Sequence, residues 1–150
     1  MLEVIGKFQT NNMQLMRIEQ YPFQTEESFI VMDNLENGEL RVYEHIKGSL
    51  NIQQLLTGFE VPGNAVLVAK ITINELWKEN AIFIHKISCE HGFEYLAELM
   101  LYQVLDYIEF YYEYQAVGIS DREYHSWLPY AGKALDNFKR ENRVYVFYKN

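Results

Sequence analysis

The stretch Ala81–Tyr114 limits the folds open to this chain more than any other. It opens on the apolar run Ala81-Ile82-Phe83-Ile84-His85-Lys86-Ile87 and breaks at Cys89-Glu90-His91-Gly92. The longest periodic segment of the sequence follows, Phe93 to Tyr114, with Phe93, Ala97, Met100, Val104, Ile108 and Tyr111 at steps of three or four. That spacing is one face of an α-helix. Glu94, Glu98, Asp106, Glu109 and Glu113 take the other side. Ala116-Val117-Gly118-Ile119-Ser120 then reads as a second short strand. Parallel neighbours need a crossover of roughly a dozen residues or more, and this helix supplies it. The expectation is a βαβ unit with Ala81–Ile87 and Ala116–Ser120 as adjacent parallel strands.

Composition narrows the class. Hydrophobic residues make up 49% of the 150 residues and charged ones 23%, a balance that folds rather than staying disordered. A chain of this length can bury an ordinary core, so one domain is expected, with a strand-rich part over 1–62. Thirteen Lys and Arg against 21 Asp and Glu leave a net charge of −8. This opposes non-specific binding to nucleic acid and to anionic membranes, and neither is expected as a partner. Cys89 is the sole cysteine, so no intramolecular disulfide can form, and a reducing compartment fits. Met1 is followed by no basic-then-apolar leader, and no apolar run approaches the ~18 residues of a membrane span. A cytoplasmic location is expected.

Taken in order, Leu2–Phe8 and Met13–Ile18 read as two strands joined at Thr10-Asn11-Asn12. Pro22 interrupts any element near it, and Phe29–Met32 is a short strand. Asn37-Gly38 suits a tight turn needing positive φ, and Leu40–Ile46 alternates as a half-buried strand. Leu50–Leu56 reads as a short helix closed by Gly58. Pro62-Gly63-Asn64 marks a turn before the strand Ala65–Ile73, which Asn74–Asn80 links antiparallel to Ala81. Asp121 can cap a helix running through Trp127 and ending near Pro129–Gly132. Val144–Tyr148 is a terminal strand.

From Ala65 onward the order is strand, strand, long helix, strand, short helix, glycine, strand. This resembles the central and C-terminal part of the GNAT-type N-acetyltransferases. Ala97-Glu98-Leu99-Met100-Leu101 sits where that family has a small residue and then apolar helix residues. Asp121–Gly132 with Val144–Lys149 resembles its late helix, glycine and closing strand. The fold class expected is α/β (α+β): a mixed, largely antiparallel sheet with one long crossover helix, GNAT-like over 65–150. The resemblance implies acetyl-CoA as cofactor and acyl transfer from it to a small-molecule or protein amine. It implies that Ile87 and Cys89 border the cofactor through their backbone and that the turn Gly92–Ala97 holds its pyrophosphate. In the family that turn has the form Arg/Gln-x-x-Gly-x-Gly/Ala, whose N–H groups and helix N-terminus receive the anion. Here Gly92 stands at the Arg/Gln position, Tyr95 at the first Gly and Ala97 at the final Gly/Ala; only Ala97 conforms. Tyr95 adds bulk, and Glu90 and Glu94 add like charge, each pair costing about 1 kcal/mol at ~4 Å in water. Weak or absent acetyl-CoA binding is therefore expected. The family's late-helix tyrosine falls at Leu128, with Tyr124 and Tyr130 near it but out of phase; with His85 they are the catalytic candidates.

Other groupings have two readings each. Cys89 and His91, two apart beside a helix start, are either a thiolate with a base or two metal ligands, or else a half-buried Cys beside a solvated His. No metal is expected. His125, Trp127 and Tyr130 read as a polar-aromatic helix face packed on the sheet. Tyr102, Tyr107, Phe110, Tyr112 and Tyr114 spread beyond one helical stripe, which is either a wide buried face or a surface for a homodimer or protein partner. Val144–Tyr148 is apolar or aromatic on both faces, so an exposed edge there would invite pairing with a second copy. Lys133, Lys139, Arg140 and Arg143 form a local basic patch, either solvated surface or a contact for a phosphate or an acidic partner. Two functional readings stand: an acyl-CoA-dependent N-acyltransferase, or a GNAT-like module for binding or protein interaction with the cofactor site lost.

Overall fold

The structure is a computed structural model that describes residues 2–10, 13–20, 25–45, 65–76, 80–111 and 113–149. The expected helix Leu50–Leu56 with its Gly58 cap, and the turns at Asn11-Asn12, Pro22 and Pro62, lie outside them. The protein is α+β, and among the strand pairings described all are antiparallel except one parallel pair. Among the described residues it has two α-helices.

The chain forms two compact units, Met1–Asn34 with Leu40–Val68, and Leu35–Glu39 with Ala69–Asn150. In the first, β1 (Leu2–Thr10), β2 (Met13–Gln20) and β3 (Thr25–Asn34) pair antiparallel in succession, and β4 (Glu39–His45) lies next to β3. Phe29 and Val31 are buried at alternate positions of β3, as Leu40 and Val42 are of β4, which is the two-residue period of a strand.

The second unit carries the βαβ element. Strand β5 (Ala65–Leu76), whose later residues belong here, pairs antiparallel with β6 (Ala81–Cys89). β6 pairs in parallel with β7 (Ala116–Ser120), Ala81 opposite Ala116 through Ile84 opposite Ile119. Helix α1 (Leu96–Phe110) makes the crossover. Leu96, Ala97, Met100, Leu101, Val104 and Ile108 are wholly buried on it, and Ile82, Ile84, Val117 and Ile119 on the strands. Each of these side chains larger than Ala97 contributes about 1.5–3 kcal/mol on burial.

Helix α1 is shorter at both ends than Phe93–Tyr114. Before it, Gly92 takes a φ of +90°, and a turn runs on through Phe93 N–H to Glu90 O at 2.9 Å and Leu96 N–H to Phe93 O at 3.0 Å. After it, Tyr111 turns extended at φ −116°, ψ 116°. The last turn of α1 has no basic residue of its own, only Asp106 and Glu109, which oppose the negative end of the helix dipole. Lys149 supplies the cation: its Nζ donates to Ile108 O at 2.8 Å and Tyr111 O at 2.9 Å. Around this cap Tyr107, Tyr111 and Tyr114 gather, with ring centroids 4.7 and 6.0 Å apart, and the Tyr111 hydroxyl donates to Glu36 at 3.0 Å. Part of the aromatic excess is thus internal packing, while Phe110 is 83% exposed.

Gly38 explains its own identity. Its φ is +91°, its carbonyl accepts from Ile73 N–H at 2.9 Å, and a Cβ would lie 2.9 Å from Ile73 O.

Helix α2 (Asp121–Leu135) differs from expectation at both ends. The cap is Ser120, whose Oγ accepts from Glu123 N–H at 3.2 Å, and Asp121 is the first helical residue. Pro129 does not stop the helix; the backbone breaks at Ala131 (φ −130°, ψ 30°) and resumes to Leu135. A proline removes one N–H and crowds the carbonyl four residues back, a local cost that a kink accommodates. Strand β9 (Val144–Tyr148) is not an edge. It sits between β7 and β8 (Lys139–Glu141), and β8 is three exposed charged residues. Short charged edges of this kind discourage strand addition.

Replacing Lys149 with Met should remove the α1 cap. Hydrogen bonds to a charged group contribute about 1.5–3 kcal/mol, so Lys149→Met should lower Tm by several degrees in a thermal melt followed by circular dichroism. An unchanged Tm, with unchanged hydrogen exchange at Ile108 and Tyr111, would show that the cap stabilises nothing.

Candidate functional site

Strand β6 is longer than its parallel partner. β7 covers β6 only as far as Ile84, and residues 85–89 run on past the end of β7. At the point of separation β6 carries a bulge. On β5, Thr72 faces Lys86 and Ile73 faces Ile84, so His85 is the extra residue. A bulge re-aims the side chains beside it, and here His85 and Lys86 are both exposed while Ile84 and Ile87 on either side are buried. α2 begins where β7 ends. The space between the free end of β6 and the first turns of α2 is an open cleft of about 580 Å³, within the range of small-ligand sites. It lies beyond the carboxyl end of β7 and alongside the last part of β6.

From β6 the cleft receives His85, Lys86 and Ile87; from α2 it receives Arg122, Glu123, Ser126, Trp127 and Tyr130. Its charges are unequally engaged. Glu123 Oε2 accepts from the Trp127 indole N–H at 2.9 Å, which fixes that ring. Glu94, at the loop side, accepts from Gly92 N–H at 2.9 Å through Oε2, and its Oε1 lies 3.6 Å from His91 Nδ1. The side chains of Lys86 and Arg122 make no hydrogen bond or ion pair with the described residues.

The structure brings three of the sequence candidates to this cleft: His85 at the bulge, Ile87 beside it and Tyr130, which is 48% exposed. Tyr124 points elsewhere and stacks on Tyr145, centroids 3.5 Å apart and planes 2° apart. Burial, then Tyr145 and Asp136, pushes its phenol up. Cys89, Gly92, Tyr95 and Ala97 do not line the cleft. Ala97 is wholly buried in α1, and Tyr95 leans on Phe93 with centroids 6.3 Å apart.

In the loop that the resemblance assigns to pyrophosphate, several N–H groups have acceptors within the chain. Gly92 N–H goes to the Glu94 carboxylate, Phe93 N–H to Glu90 O, and Ala97 N–H to Glu94 O at 3.1 Å. The Cys89–His91 pairing does not assemble either. His91 is exposed and faces Glu94. Burial, reinforced by Glu94 and opposed by the Ala97 amide, pushes the Cys89 thiol up to about 12, so burial outweighs the helix start. On the far side of α2, His125 lies 3.3 Å from Asp121 Oδ1 and 3.4 Å from the Tyr145 hydroxyl, both through Nε2. A proton relay uses the two ring nitrogens separately, so this is not one. In the basic patch, Arg140 reaches Asn142 O at 3.1 Å, and the patch does not line the cleft. Among the described residues there is no group of three or more His, Cys, Asp or Glu able to hold a metal, and no helix long and apolar enough to cross a membrane.

Sequence reasoning missed Lys86, Arg122, Glu123 and Ser126. The available signal was His85-Lys86, two polar residues in succession inside an apolar strand, which breaks the two-residue alternation as a bulge does.

With its thiol at about 12, Cys89 should be alkylated by iodoacetamide at pH 8 more than about a hundredfold more slowly than glutathione. The sign follows from the shift. The folded state holds this proton above the ordinary value of 9.0, so the group's contribution to stability is complete below about 9 and is lost as pH climbs toward 12. Labelling as fast as glutathione would mean that the thiol is open to solvent. Compared with protein-family models, with curated proteins and with solved structures, the chain matches none of them.

Proposed function

We propose that this protein is a GNAT-like binding module, cytoplasmic, whose β6–α2 cleft takes a small polar ligand and which does not transfer acyl groups from CoA. The observation that carries this is the contact between Gly92 N–H and the Glu94 carboxylate. In a GNAT-like arrangement this turn would receive a pyrophosphate, and here an internal carboxylate takes the donor and places negative charge beside it. An incoming phosphate would have to displace Glu94 and accept the bulk of Tyr95. The cleft itself stays open.

The acyltransferase reading has one observation in its favour. The bulge at His85 disrupts the ladder at the mouth of the cleft, and Tyr130 lines the same space. In that reading His85 would take the proton of an amine and Tyr130 would protonate a leaving thiolate. A dimer or protein partner also belongs to the proposal. β8 covers β9, so the edge at that side is short and charged, and one exposed aromatic left for a partner is Phe110 at the end of α1.

Isothermal calorimetry with acetyl-CoA and CoA tests the choice. A dissociation constant weaker than about 1 mM is expected. The double variant Glu94→Gln, Tyr95→Gly should bind CoA more tightly than the wild type if charge and bulk are the obstacles. Micromolar binding by the wild type would restore the acyltransferase reading.

A further inference from the structure

We infer that the cleft takes a small planar organic anion, a carboxylate or a phosphate, held by Arg122 and Lys86 with its flat body against Trp127. This rests on the reading of the cleft as a ligand site and names the ligand's class. Four charged side chains line the cleft apart from His85, and they divide by sign. Each carboxylate has a donor: Glu123 has the Trp127 indole, and Glu94 has Gly92 N–H. Neither cation has an acceptor among the described residues. The uncompensated charge offered to a ligand is positive.

Two placements sharpen this. Arg122 is the second residue of α2. The helix dipole makes that end positive, so a cation there is disfavoured unless an anion joins it. Lys86 is turned outward by the bulge. An anion between them would answer the charge from two different elements, and the planar guanidinium of Arg122 suits a carboxylate or phosphate fork. The apolar part of the ligand has a matching surface. The buried Ile87 lines the cleft, and Trp127 and Tyr130 have ring centroids 5.9 Å apart. The Glu123 bond holds the indole in place before any ligand arrives, and its charge keeps the anionic end of a ligand toward Arg122 and Lys86.

Trp127 is the reporter. The chain has one other tryptophan, Trp77, and Trp77→Phe leaves Trp127 as the sole indole fluorophore; in the wild type the indole N–H resonances give the same readout. Phenylphosphate, benzoate, benzylammonium and inorganic phosphate are titrated at low ionic strength against the full chain. Phenylphosphate and benzoate should shift the Trp127 signal saturably, and their relative affinity tells phosphate from carboxylate. Benzylammonium should not shift it. Inorganic phosphate should bind more weakly than phenylphosphate. Arg122→Ala and Lys86→Ala, both at exposed positions, should each weaken phenylphosphate about tenfold. Saturable binding of benzylammonium without the anions would overturn the anion assignment and leave the cleft reading standing. Anion binding unchanged by both substitutions would also overturn it. If no probe moves Trp127, the cleft reading and this inference fall together.

Discussion

Four residues of parallel pairing, Ala81–Ile84 against Ala116–Ile119, organise the second unit. Parallel strands must be covered on both faces, and β7 shows this in sequence as in structure: Ala116, Val117, Gly118 and Ile119 are buried without alternation. Covering one of those faces is the work of α1. The same pairing sets the cleft, because β6 is nine residues long and β7 only five. Whatever the cleft binds, it exists because one member of the pair stops early and a helix starts there.

The central elements were legible because their patterns are local. The apolar runs of β5, β6 and β7, the periodic face of α1 and the order of the elements all follow from periods of two and 3.6. What escaped is set by residues far apart in the chain. Tyr111 and Tyr114 continue the stripe of α1 in sequence, yet the helix ends at Phe110, where Lys149 binds the last carbonyls. The choice of Ser120 over Asp121 as cap is a shift of one residue between two good capping types, which only the register of β7 decides. Of the site, His85, Ile87 and Tyr130 were visible as residue types; their convergence, and the part played by Arg122 and Lys86, depends on a bulge and on where two strands separate.

Glu94 shows how a like-charged residue can be stable at a loop expected to hold an anion. Read alone, it is a charge in the wrong place. In the folded chain it accepts from the N–H of Gly92, whose φ of +90° few other residues would adopt. The carboxylate answers a donor in the turn that precedes the helix, and an acidic group there also suits the positive end of the helix dipole.

The bulge at His85 has a consequence for the whole of β6. Before it, the inward side chains fall on even positions, Ile82 and Ile84; after it, the inward one is Ile87. The strand therefore carries two phases joined by a one-residue offset. A chain with no offset could not bury both sets, because a slip of one residue sends every later side chain to the other face. Residue 85 is in this sense a punctuation mark: it keeps the second half of the strand in frame with the core, and at the same stroke it sets two neighbouring polar side chains side by side facing solvent.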